Sequence, residues 1–258
     1  MRAKKRAKVI EVEEIISDVN RPYQSEDADV ILVSSDGLKF KVHSYHLKAA
    51  STVFSSMLDI GIPDQSNLLE FTDNEIEHSR IVVLFLNLVY GKELHFKKET
   101  RHYNHEQCYR LVSFLLKYDA TTPLRMLRYA THLWLAREAL SPFCAFRIGA
   151  KMDDVDLCAQ ALRCCAGWNW SRNDNITEEE KRKRSFDLNN TVWNGPCLDP
   201  SSWRIATFKE IPDKYLTALL RACRESMKLV RSQNDWIKIG DKFAELMRAM
   251  RNAEKSKA

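Results

Sequence analysis

Residues 29–42 leave this chain little conformational choice. Val30-Ile31-Leu32-Val33 is an unbroken apolar run of strand length, Asp36-Gly37 follows, and Leu38, Phe40 and Val42 then alternate with Lys39 and Lys41. A short apolar run and a period of two are what a fully buried and a half-buried strand each require. The Asp-Gly pair suits the positive-φ positions of a tight turn between them. The stretch is predicted to be a β-hairpin. Leu47, Ala50, Val53, Phe54, Met57 and Leu58 then recur at helical spacing, and Ser51 is placed to cap the second of two short helices. A hairpin running directly into helices excludes both the all-α and the all-β classes.

The later elements read mostly as helices. Leu68-Leu69-Glu70-Phe71 fits a short strand whose side chains are committed to a sheet. Thr72 to Glu75 fits a capping box opening a helix that carries Ile81, Val82, Leu84, Phe85 and Leu88, with Gly91 placed to end it. Cys108, Leu111, Val112, Leu115 and Leu116 trace one face of the next helix. Thr122-Pro123 opens another, with proline at the first helical position. Further helices are predicted over Val155 to Ala166, after Pro212 (Leu216, Leu219, Leu220, Cys223, Met227), and from Trp236 through Ile239, Phe243, Leu246, Met247 and Met250. Between them, 167–210 is polar, Trp-bearing and poorly periodic, which reads as an irregular insertion. No internal repeat is found.

Composition narrows the function. Forty basic against 35 acidic residues give a net charge of +5, and Arg2, Lys4, Lys5, Arg6 and Lys8 account for all of it. The remaining body is neutral, which argues against a broad nucleic-acid face, because phosphate neutralisation dominates such binding. The longest apolar run, Ile81 to Leu86, is far short of the ~20 residues that cross a bilayer. Glu11, Glu13 and Glu14 interrupt any apolar stretch behind the basic start, so no secretory signal is expected. Seven cysteines without framework spacing then read as reduced thiols of the cytoplasm or nucleus.

The order of elements, together with Asp29-Val30-Ile31-Leu32-Val33, Asp36-Gly37, Phe40-Lys41-Val42-His43, Leu47, Ser51, Val53-Phe54 and Met57-Leu58, resembles the BTB/POZ signature. Tyr118-Asp119-Ala120 is similar to the last core helices of that family. The resemblance implies an α+β BTB/POZ fold over 23–130, a small sheet with a hairpin flanked by helices. An all-α region over 131–251 follows, similar in broad character to the helical tails of fungal BTB proteins without kelch repeats or zinc fingers. Residues 1–22 form a basic then acidic tail, and 252–258 a disordered end.

Function follows the same resemblance. It implies a non-enzymatic interaction module that homodimerises. In that family N-terminal segments pair with the partner subunit, which assigns Val9, Ile10, Val12, Ile15, Ile16 and Leu47 to a dimer interface; from the residues alone, 9–28 is either an edge strand or a short helix. Cullin-binding adaptors of the family use the loop after the second short helix and a hydrophobic-x-Glu triplet in it. Here Met57, Leu58, Ile60, Ile62 and Asp64 occupy that stretch, no glutamate is present, and Ile62-Pro63-Asp64 is the nearest stand-in. In BTB transcription factors an acid at the strand start and a base after Val-His line a charged pocket that binds corepressors. Asp29 matches the acid, but Ser44 stands where the base is expected and Lys48 lies a turn further on, so the pocket is expected to be absent or altered.

Other clusters carry bland readings. His43 with His46, and His102-x₂-His105-x₂-Cys108, lack the further ligands that zinc needs; His102 and His105 are expected to precede their helix. Cys164 and Cys165 read as small core residues. Lys181-Arg182-Lys183-Arg184 follows Glu178, Glu179 and Glu180 at i, i+4 spacing and reads as a self-neutralised helix face, which leaves residues 1–8 as the better nuclear-import candidate. No catalytic residue, metal or cofactor is assigned. Three functions remain open: a cullin-type ubiquitin ligase adaptor, a nuclear regulator recruiting corepressors, and an enzyme in the C-terminal half.

Overall fold

The structure, a computed structural model, describes residues 22–60, 68–94, 101–165, 198, 200, 203, 205–225 and 233–256, with the side chains of 101–104, 225 and 233 outside the description. The chain divides into two compact units, one of residues 1–94 with 113–123, the other of 95–112 with 124–258.

In the first unit β1 (Val30–Val33) and β2 (Lys39–Val42) form the expected antiparallel hairpin, Val30 opposite Val42 and Leu32 opposite Phe40. Their inward residues Val30, Leu32, Phe40 and Val42 are buried, as the period of two demands. Gly37 takes the left-handed φ of +82°. Asp36 does not share it; its carboxylate instead accepts from the Ser79 N–H (2.8 Å) and hydroxyl (2.6 Å). Helices α1 (Ser44–Ala50) and α2 (Thr52–Asp59) cross over to β3 (Leu68–Glu70), which pairs parallel with β1, so the sheet order is β2-β1-β3. Ser51 caps α2 by accepting from the Phe54 N–H at 3.0 Å, as its position predicts.

The capping box at Thr72 and Glu75 does not form. Helix α3 (Ser79–Val89) starts six residues later than a Thr72 cap would place it, behind His78, and residues 72–77 make a separate turn in which Asp73 accepts from the Glu75 and Ile76 amides (2.9 and 3.3 Å). The acceptor in that turn is Asp73 rather than Thr72, and Asp36, distant in sequence, accepts from the first amide of the true helix. Gly91, at φ +67°, ends α3 as expected, with Lys92 N–H donating to Asn87 O at 2.7 Å.

Helix α4 (Arg101–Lys117) gives its residues to Val112 to the second unit and Ser113–Lys117 to the first. His102 and His105 lie within this helix rather than before it. Leu116, expected on its buried face, is exposed. Helix α5 (Thr121–Ala136) begins at Thr121, so Pro123 is its third residue, still within the first turn, where no amide bond is lost.

The second unit contains α6 (Pro142–Lys151), α7 (Val155–Arg163), α8 (Ile205–Glu210), α9 (Asp213–Glu225) and α10 (Gln233–Lys255). Its core joins Phe146, Leu157, Leu162, Tyr215, Leu219, Trp236, Ile239, Phe243 and Met247, all buried. Leu220 is exposed, against expectation. Part of the stretch predicted to be irregular is ordered: α8 is helical, and Trp203 is buried with its ring 5.8 Å from Phe143. Cys165 is a core residue, whereas Cys164, at the C-cap of α7, is exposed. The clusters at 1–8, 9–16 and 181–184 lie outside the described residues.

Candidate interaction surfaces

The signature residues of the first unit are spent on the fold. Asp29 accepts from the Ser44 N–H (2.6 Å) and hydroxyl (2.5 Å) and so caps α1. Burial pushes its carboxyl up, but these bonds outweigh burial and hold it below the ordinary carboxylate range. The serine that replaces the expected base is thus the partner that Asp29 uses. Lys48 lies 2.5 Å from Asp59. His43 donates its backbone N–H to the Tyr90 hydroxyl (3.0 Å), and its Nδ1 lies 2.9 Å from the same oxygen. Val30, Phe40, Val42 and Phe54 are core residues, and the Phe54 ring stacks on Tyr118 at 4.6 Å. Ser51 also donates its hydroxyl to the Tyr118 carbonyl.

Leu47 is fully buried within the unit. It has no surface left for a second copy, which corrects its assignment to a dimer interface. On the cullin-like stretch Met57 and Ile60 are exposed (41 and 84%) and Leu58 is half-buried, while Ile62 and Asp64 fall outside the described residues. Glu70 is on β3 as expected, but its side chain is exposed rather than committed to the sheet. Tyr45 (62%) and Leu116 (49%) complete the large exposed apolar side chains of this unit among the described residues.

Glu77 was invisible to sequence reasoning. Buried at 1% exposure, it accepts from the Thr72 and Asp73 amides (2.8 and 2.6 Å), Lys117 Nζ (2.6 Å) and the Tyr118 hydroxyl (2.5 Å). Burial raises its carboxyl, but the Lys117 and Tyr118 bonds outweigh burial and hold it low. A single glutamate amid polar residues carries no signal of this kind. Only the packing brings residues forty positions apart onto it.

Chemistry in the second unit is equally structural. His105 Nδ1 lies 3.1 Å from Cys144 Sγ, a pairing no local motif announced. Burial pushes the Cys144 thiol up, away from the thiolate that a nucleophile needs. Asp154 caps α7 through the Leu157 amide (2.9 Å) and faces Arg128 and His132 at 3.3 and 3.1 Å. Tyr109 carries Lys151 Nζ and the Arg147 guanidinium over its ring, at 3.6 and 4.7 Å. Among the described residues no three His, Cys, Asp or Glu side chains converge as a metal site, and no helix is long and apolar enough to cross a membrane.

Compared with protein families, residues 20–125 match the BTB/POZ domain. No curated protein matches the chain. The match covers the hairpin, the short-helix pair, β3, the turn at 72–77 and α3, with α4 and the start of α5. The chain is therefore a BTB/POZ domain-containing protein, an α+β BTB fold followed by an all-α region, and it carries a protein–protein interaction module.

Proposed function

We propose that this protein is a non-enzymatic adaptor that self-associates through its BTB domain and presents partners through its C-terminal helices, with a cullin-type ubiquitin ligase scaffold as its weak partner in the cytoplasm, the nucleus or both. The observation that carries this reading is the exposure of Met57 and Ile60 at the end of α2, beside a framework whose apolar signature residues Val30, Phe40, Val42, Leu47 and Phe54 are buried. Free apolar side chains next to satisfied polar ones suit a binding role. The dimer segment is Val9, Ile10, Val12, Ile15 and Ile16, and the basic stretch 1–8 supports nuclear entry. The corepressor alternative has less support, because Asp29 is already engaged by Ser44.

The missing glutamate of the triplet removes one charge-assisted contact, which costs about 1.5–3 kcal/mol, roughly ten- to hundredfold in affinity. The test is a cullin pulldown with the wild type and an Ile62→Ala, Asp64→Ala variant. Weak capture, lost in the variant, is the expected result. Strong capture unaffected by the substitutions overturns the site, and no capture of any cullin overturns the cullin assignment.

A further inference from the structure

Cys144 stands in the first turn of α6, its amide donating to the Ser141 hydroxyl oxygen at 3.3 Å. Facing it, His105 is half-buried on α4 and brings Nδ1 to 3.1 Å from the Cys144 sulfur. The proton of this contact sits on sulfur or on Nδ1, so an acceptor for the thiol proton is already in place. Burial is the largest influence on the thiol and opposes its ionisation, as Glu106 does; the Ser141 hydroxyl and Arg147, one turn further along α6, favour it. The resting thiol is therefore neutral, with a base and a cation placed for its thiolate. Other thiols are arranged differently. Cys158 donates to the Phe146 carbonyl at 3.4 Å, an oxygen that does not carry the proton away, and Cys108 is enclosed at 1% exposure. Cys164 is exposed, and none of the described residues hydrogen-bonds its sulfur.

We infer that Cys144 and His105 form a peroxide-sensitive site, in which hydrogen peroxide oxidises the Cys144 sulfur to a sulfenic acid. His105 Nδ1 takes the thiol proton as the sulfur attacks one peroxide oxygen. An S–O bond forms, and the O–O bond breaks with its electron pair on the departing oxygen. The proton then passes from His105 to that oxygen, which leaves as water. Sulfur is oxidised and the peroxide reduced. Cys144 retains 9% of its surface, which suits an oxidant of this size rather than a protein disulfide.

The test treats the full chain with hydrogen peroxide, traps sulfenic acid with dimedone, alkylates the remaining thiols and reads each cysteine by mass spectrometry. Cys144 is expected to lose its thiol ahead of the more exposed Cys164 and to carry the dimedone adduct. Access alone predicts the reverse order. Unfolding in urea erases the preference, because packing builds the site. His105→Gln keeps a hydrogen-bonding side chain but no base, and slows loss at Cys144 roughly a hundredfold. Glu106→Gln, at a half-exposed position, removes an opposing charge and speeds that loss a few-fold. If His105→Gln loses its helical circular dichroism, Glu106→Gln decides alone. Native Cys164 reacting first or equally, a preference that survives urea, or rates unchanged in the folded variants overturns the proposal.

Discussion

Glu77 shows how one side chain decides where a segment sits. Four donors converge on a carboxylate that contributes no surface, so the turn at 72–77 and the end of α4 are held to one another through it. Its folded carboxyl is held below the ordinary glutamate value of 4.5. A group depressed on folding contributes stability that is present above its unfolded value and lost as pH falls through the folded one. Acid unfolding of the first unit is therefore expected to steepen below about pH 4.5. Glu77→Gln removes that pH dependence and leaves donors without their anion, costing on the order of 1–3 kcal/mol in urea unfolding at pH 7. An unchanged midpoint at pH 7 and an unchanged acid limb contradict this account of Glu77. Asp29 carries a smaller prediction. Asp29→Ala costs about 1 kcal/mol of stability, the scale of a lost helix cap, and calorimetry of the variant shows whether that destabilisation is present.

At the scale of elements, the signals that were legible are local ones. Alternation over Leu38, Phe40 and Val42 located β2, and Ser51 and Gly91 marked helix ends that the backbone uses. Signals failed where a distant partner competes with a local one. Thr72 and Glu75 have capping letters, yet Asp36 holds the start of α3. Leu116 and Leu220 continue apolar helical patterns, yet both point to solvent, because a repeat does not say how wide a face the neighbours cover. Close helix approach is another thing that sequence hides. In α10 a Cβ on Gly240 meets the Ala159 carbonyl of α7 and Arg163 Cγ, each at 2.8 Å. Gly240→Ala gains about 1 kcal/mol of helix propensity, but the backbone oxygen cannot yield without moving α7. Net destabilisation of roughly 1–3 kcal/mol is expected for the second unit. A thermal midpoint equal to or above wild type shows the approach to be looser.

At the scale of the whole molecule, the proposed function is association. The BTB family resemblance was legible because its signature residues are framework residues, and framework is what a local pattern records. The surfaces were far less legible. Leu47, which the resemblance places at a dimer interface, is buried. The apolar residues Val9, Ile10, Val12, Ile15 and Ile16 remain the assigned self-association segment. Light scattering of the full chain on the order of tens of micromolar, where an obligate dimer persists, tests the central claim most directly. A mass twice the 30.0-kDa chain, falling to one chain in a Val12→Asp, Ile16→Asp variant that keeps its helical circular dichroism, is the predicted result. A wild-type monomer at that concentration contradicts it.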